Sequence, residues 1–257
     1  MSTDVLGMFS LAGKTALVTG ASRGLGQAIA VALANAGAQV ICCASKPGGT
    51  AATEALINDA GGKAYGLAAD LSDEQAINKL YEDAVALTGQ IDILVNNGGT
   101  IARYPAHEFP MAEFKKVIDV NLNALFQLSQ LVGNDMLKRK SGKIINIASM
   151  LSYSGGITVP AYTASKHAVA GVTKALANEW AASNIQVNAI APGYFRTDNT
   201  QALQDNPERS TDIEKRIPAG EWGLPKQLSG SAVFLASEAS DYVNGHILAV
   251  DGGFLVR

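Results

Sequence analysis

A chain of 257 residues that is 47% hydrophobic has enough apolar material for one sizeable core, and α/β domains of about 250 residues fold as a single unit. That apolar content excludes intrinsic disorder. A formal net charge of −3, with no basic field along the chain, disfavours nucleic acid as a partner. The longest apolar stretch, Ala28–Ala44, is broken by Asn35, Gly37 and Gln39, too interrupted for a membrane span of about 20 residues. The opening MSTDVLGMFSLAGK has neither a basic n-region nor an apolar h-region and predicts no signal peptide. The expectation is a soluble cytoplasmic protein.

In chain order, the run Thr15–Thr19 predicts a strand and Leu25–Ala36 a helix. Strand runs follow at Gln39–Cys43 and Lys63–Leu67, then a helix over Asp73–Leu87 and a strand over Ile91–Val95. A long helical pattern spans Ala112–Lys138 and precedes the run Lys143–Ala148. The pattern Ala161–Ala182, the run Ile185–Ile190, the helix Lys226–Ser237 and the run Ile247–Val250 complete the order. Seven apolar runs alternating with helices give βαβ units in a mostly parallel sheet with helices on both faces, one doubly wound α/β domain over 1–257. The polar stretch Arg196–Gly220 has no strand run and predicts an excursion beyond the sheet, the usual place for a lid. Cys42 and Cys43 are strand neighbours that point to opposite faces, so they predict neither a disulfide nor a metal site. The charges from Arg139 to Lys143 read as a solvated helix end. His107, His167 and His246 show no ligand spacing and read as structural, and Trp180 and Trp222 as core or lid packing.

Between the first strand and the first helix lies Thr19-Gly20-Ala21-Ser22-Arg23-Gly24-Leu25-Gly26. A glycine-rich turn there lets backbone N–H groups approach a pyrophosphate, and the helix N-terminus adds about half a positive charge. This is the place of a dinucleotide site. Strand two ends in Cys43-Ala44-Ser45-Lys46 without the acid that would accept a ribose 2′-hydroxyl and select NAD. Arg23 and Lys46 in that corner favour NADP and leave NAD possible, although two solvated surface cations would give the same sequence.

Tyr162 and Lys166 stand four apart in a helix and share a face. A nearby ammonium lowers a phenol's pKa from about 10 and yields a general acid/base. Ser149 ends the fifth strand, at the sheet edge where ligands sit, and its hydroxyl suits a substrate oxygen. Arg103, four residues after Gly99, suits a substrate carboxylate. Arg196 and Arg216 are weaker candidates for the same task, and all three equally fit a surface role.

The motifs TGASRGLG (19–26), NNGG (96–99), Asn121 in VNLNAL, Ser149, YTASK (162–166) and PG (192–193) together resemble the short-chain dehydrogenases/reductases, from about Leu11 to the C-terminus. The resemblance implies a single-domain Rossmann fold and an NAD(P)-dependent oxidoreductase. It implies Tyr162 as acid/base, Ser149 polarising a carbonyl, Lys166 on the nicotinamide ribose and Asn121 positioning a water in a proton relay. For the cofactor it implies Gly20, Ser22, Arg23, Gly24, Leu25 and Gly26 around the phosphates and ribose. Asp70 would contact adenine, Asn97 would sit near the ribose, and Ile190, Pro192 and Gly193 would wall the nicotinamide. Ala44, Ser45, Lys46, Leu71, Gly98 and Thr197 complete that set. Gly98 stands where the family usually has alanine, which would loosen a turn. Further stretches, such as RIPAGEWGLP and ASDYVNG, are similar to the group that acts on small ketoacids of uronate breakdown, such as 2-keto-3-deoxygluconate or 4-deoxy-L-erythro-5-hexoseulose uronate. A homotetramer follows by the same likeness, with the apolar GGFLVR tail at a subunit contact. A 3-oxoacyl-carrier-protein reductase and a non-catalytic dinucleotide-binding regulator are the alternatives.

Overall fold

The seven apolar runs form seven strands, β1 (Thr15–Thr19), β2 (Gln39–Ala44), β3 (Lys63–Ala68), β4 (Ile93–Asn96), β5 (Gly142–Ile147), β6 (Ile185–Pro192) and β7 (Ile247–Val250). The computed structural model describes residues 4–257, so the first three residues of the N-terminal reading lie outside the described residues. The sheet order is β3-β2-β1-β4-β5-β6-β7. Every neighbouring pair is parallel, so the expected "mostly parallel" sheet is wholly so. The chain leaves β1 in one direction for β2 and β3 and in the other for β4 to β7. That reversal, between β1 and β4, opens a crevice beyond the carboxyl ends of the strands.

Helices α1 (Gly24–Asn35), α2 (Ala51–Asp59), α3 (Glu74–Thr88), α4 (Met111–Ile118), α5 (Ala124–Arg139), α6 (Pro160–Trp180), α7 (Gln201–Gln204), α8 (Pro207–Arg216) and α9 (Ser229–Ala236) complete the chain. One core layer joins Val40 and Cys42 to Ile29 and Leu33 of α1 and Ala232 and Leu235 of α9. The other joins Ile41 and Cys43 to Leu80 of α3, Leu128 of α5 and Leu176 of α6. Both faces of β2 are thus buried, which is why it reads as an unbroken apolar run. The two thiols are free, and burial pushes each up to about 12.

Three expectations need correction. The helix α2 has no counterpart in the sequence reading, because only Thr53 and Ile57 on it are buried and its apolar stripe is thin. The single long helix of 112–138 is α4 and α5 joined by a π-helical turn at Asp119–Asn123. The Arg139–Lys143 stretch is tied down rather than freely solvated: Arg139 donates to the Ser141 and Ile91 carbonyls, and Lys143 pairs with Asp241 at 2.6 Å. Trp180 and Trp222 are core residues as expected. The stretch 196–220 leaves the end of β6 and carries α7 and α8. It packs through Leu203, Ile213 and Ile217 with Tyr194, Trp222 and Phe254. No helix is long and apolar enough to cross a membrane among the described residues.

Candidate active site

A cleft of ≈ 720 Å³ runs along the carboxyl ends of β1, β4, β5 and β6. Its floor is the glycine turn. Gly20 and Gly24 have left-handed φ values of 63° and 59°, a conformation that costs other residues energy. A Cβ on Gly26 would strike the Gly20 carbonyl and the Asn97 amide. Asn97 is itself a strut of this turn: Nδ2 donates to Thr19 O (2.9 Å) and Gly20 O (3.1 Å). Its backbone N–H and that of Gly98 donate to Thr19 Oγ1 at 3.0 and 2.9 Å. The turn therefore holds a narrow, side-chain-free cradle at the N-terminus of a 12-residue helix, the donor set and field that a pyrophosphate needs.

Beyond the cradle, Ser22, Arg23, Leu25, Ala44, Ser45, Lys46, Asp70 and Leu71 line the cleft as expected. Asp70 accepts from the Ser72 N–H (2.9 Å) and hydroxyl (2.7 Å), which hold its carboxyl below the usual range. Gly98 makes room rather than loosening a turn: its φ is not left-handed, and a Cβ there would press on Leu71 Cδ1. Pro192, Gly193 and Thr197 also line the cleft. Ile190 does not. It is fully buried in the core beside Ile147, and Phe195 lines the wall instead.

Ser149 follows β5, and its hydroxyl accepts from the Leu151 N–H at 3.1 Å. Tyr162 lies in the first turns of α6, begun by Pro160. Lys166, one turn on, is 4% exposed and donates from Nζ to Ile147 O at 2.5 Å. Nζ lies 5.6 Å from the centroid of the Tyr162 ring. Burial lowers the lysine to about 8. Burial also raises the Tyr162 phenol, against the pull of the Ser149 hydroxyl and the Arg103 charge. This corrects the expectation that Lys166 lowers it: the ammonium rests on the Ile147 carbonyl, and desolvation outweighs the charges nearby.

Asn121, 1% exposed, sits in the π-helical turn, a distortion often found at functional sites. It accepts from Thr100 N (2.8 Å) and donates to Thr100 O (2.9 Å) and Ser165 Oγ (3.1 Å). Ser165 in turn donates to the Tyr162 carbonyl at 2.7 Å. The Asn121 side chain clamps the loop after β4 onto the helix that carries Tyr162 with both amide hydrogens and one acceptor site of Oδ1.

A model of the short chain dehydrogenases matches residues 14–208. The chain is 58% identical over 253 residues to a 2-dehydro-3-deoxy-D-gluconate 5-dehydrogenase of Bacillus subtilis (strain 168), covering 97% of both chains. The protein belongs to the short-chain dehydrogenase family. A crystal structure from Agrobacterium tumefaciens with bound NADP is 52% identical, covers 97% of this chain and 99% of its own, and superposes with a TM-score of 0.92. A gluconate 5-dehydrogenase from Burkholderia cenocepacia J2315, in complex with NADP and tartrate, is 39% identical, with coverage of 98% and 99% and a TM-score of 0.95.

On this short-chain dehydrogenase, four arginines have partners that sequence spacing did not show. Arg23 pairs with Asp198 at 2.7 Å. Arg103 is exposed and donates to Asn199 O at 3.1 Å, and its charge reaches Tyr162. Arg196 faces Glu214 at 3.7 Å. Arg216 stacks 4.6 Å from the Phe254 ring centroid. Arg103, Arg196 and Arg216 all lie outside the lining of the cleft, and Arg103 alone of the three is tied to a lining residue, Asn199. His107, His167 and His246 are all exposed and lie outside it. No group of three or more His, Cys, Asp or Glu that could hold a metal ion occurs among the described residues. Sequence reasoning missed Thr100, Ser165, Phe195, Asp198 and Asn199. Each acts through a partner far along the chain, which no local spacing signals.

Proposed function

We propose that this protein is an NAD(P)-dependent oxidoreductase that interconverts a ketone and a secondary alcohol on a small sugar-derived ketoacid. 2-Keto-3-deoxygluconate is the substrate class favoured by the 58% identical relative, and NADP is preferred over NAD. The observation that carries the reading is the meeting, in one cleft, of Ser149, Tyr162 and Lys166 with the side-chain-free glycine cradle. Gly20, Gly24 and Gly26 would receive the pyrophosphate, and Ser45, Lys46 and Arg23 the adenosine ribose. Lys166 would hold the nicotinamide ribose. When bound, the nicotinamide supplies or accepts the hydride.

Ser149 donates to the substrate oxygen and fixes it beside the phenol. Tyr162 moves the proton at that oxygen. The phenol is protonated at neutral pH, the form that donates to a carbonyl oxygen during reduction, although burial, by raising its pKa, makes it a weaker acid than a free phenol. Asn121 positions the loop after β4 and the helix of Tyr162, since Thr100 and Ser165 take both of its N–H donors and one acceptor site. Arg103 receives the substrate carboxylate at the rim, and the segment 196–220 closes over it as a lid. A cytoplasmic homotetramer belongs to the same reading. Exposed Met111, Phe126 and Val256, the last in the C-terminal tail, support subunit contacts.

The test is a steady-state comparison of uronate-derived ketoacids and 3-oxoacyl thioesters, each with NADPH and NADH. Turnover of the ketoacids is expected. Turnover of the thioesters alone would favour a carrier-protein reductase, and none with any of them a regulator.

A further inference from the structure

The two arginines at the rim of the cleft are held by consecutive residues of one segment. Arg23, in the glycine turn, places Nε 2.7 Å from Asp198 Oδ2. Arg103, after β4, donates to the carbonyl of Asn199. Next to them, Thr197 Cγ2 lies 3.5 Å from where a Cβ on Gly24 would stand. The stretch that follows β6 therefore lies directly on the phosphate-binding turn, and Asp198 brings a carboxylate to it.

That carboxylate is in an informative place. Enzymes that select NAD usually carry an acid at the end of the second strand, where it accepts the ribose 2′-hydroxyl and repels a 2′-phosphate. Here that end reads Ala44-Ser45-Lys46. Two aspartates line the cleft, Asp70 and Asp198. Asp70 is turned onto Ser72. Asp198 alone of the two is paired with a cation of the cofactor rim.

We infer that Asp198 is a cofactor-selecting residue, whose charge on Arg23 moderates the preference for NADPH over NADH. The inference rests on the reading of the cleft as a nicotinamide dinucleotide site. A guanidinium offers five N–H donors in a fixed fork, and Asp198 engages the Nε edge. Among the described residues the Nη groups have no hydrogen-bond partner, and they stay available to an anion. The side chains of the pair are 72% and 69% exposed, so the ion pair is weak and shares Arg23 rather than removing it. A 2′-phosphate meets both the attraction of Arg23 and the repulsion of Asp198. A 2′-hydroxyl carries no charge and meets neither. The pyrophosphate is common to both cofactors, so whatever Asp198 does there cancels in their ratio, and its charge moves that ratio only through the 2′-phosphate, which a purely structural role would not produce.

The experiment is direct binding of NADPH and NADH to Asp198→Asn by fluorescence titration, with kcat/KM for both cofactors on one ketoacid. The amide keeps the shape and removes the charge. The NADPH:NADH affinity ratio is expected to rise about three- to tenfold, equivalent to about 0.7–1.4 kcal/mol. The rise in the ratio comes from the 2′-phosphate, whatever common gain both cofactors show, and it shrinks at high salt as the charges are screened. Asp205→Asn is the control, since Asp205 lies on the same segment but binds Gln201; it should leave the ratio in place. An unchanged ratio in Asp198→Asn, or an equal rise in Asp205→Asn, would overturn the role of Asp198. If ketoacid turnover persists with that unchanged ratio, the functional reading survives alone. A wild-type protein that binds neither dinucleotide overturns both.

Discussion

Replacing Lys166 by methionine converts a buried cation into an apolar side chain of similar length. Lys166 is 4% exposed, and burial lowers it from 10.5 to about 8. The folded protein thus releases this proton earlier than the unfolded chain. Between about pH 8 and 10.5 the unfolded state binds more protons, so stability rises with pH across that window. Below about pH 8 the buried ammonium imposes its full cost. At about 1.4 kcal/mol per pH unit that cost is about 3 kcal/mol, partly offset by the hydrogen bond to Ile147 O. Lys166→Met removes the titration. The stability of the wild type minus that of the variant should climb by about 2 kcal/mol from near pH 7.5 to near pH 10. Cys42 and Cys43, raised to about 12, destabilise the fold above their unfolded value of 9.0, but do so in both chains and cancel in the difference. Tyr162, also raised by burial, lowers stability only above the ordinary phenol value of 10.0, at the edge of the window. The assay is urea denaturation followed by far-ultraviolet circular dichroism at a series of pH values. A difference that stays flat would refute the claim that Lys166 is a desolvated cation.

Three further outcomes follow from the same geometry. Arg103→Ala should raise the KM for the ketoacid about tenfold or more, as expected for a lost charge-assisted hydrogen bond of about 1.5–3 kcal/mol, with cofactor affinity kept; an unchanged KM in steady-state assays would return Arg103 to a surface role. Gly26→Ala puts a methyl group against the Gly20 backbone and should destabilise the fold by about 1–3 kcal/mol and weaken dinucleotide binding, read by urea midpoints and fluorescence titration. Asn121→Ala leaves the Thr100 N–H and carbonyl without their partner and should cost about 1–3 kcal/mol; a midpoint equal to wild type would show that the clamp carries no weight.

The strands were legible because β-branched residues cluster in runs as short as the strands themselves, Thr15–Thr19 and Ile247–Val250 with the same bounds in both readings. Helical spacing put Tyr162 and Lys166 on one face, but such a pair is common by chance and it was the surrounding motifs, with Ser149, that marked it; Gly20, Gly24 and Gly26 stood out from their place between a strand and a helix. The side that Ile190 faces was not: all eight residues of β6 are buried, so no alternation marks core from cleft, and Phe195 went unnoticed beyond the strand. The π-helical turn around Asn121 was hidden because one extra residue barely disturbs a helical pattern. Arg23 read as an open cation because its partner, Asp198, belongs to a segment whose position depends on the folding of β6 against β5 and β7. Pairing across such distances is set by topology, and local sequence carries no record of it.

The central claim is that the Tyr162 phenol moves the proton in this cleft. Single-turnover reduction of a ketoacid by Tyr162→Phe with bound NADPH tests it most directly, with cofactor affinity measured on the same sample. The account predicts a rate at least about a hundredfold below wild type with dinucleotide binding retained. A variant that keeps near-wild-type turnover would contradict it.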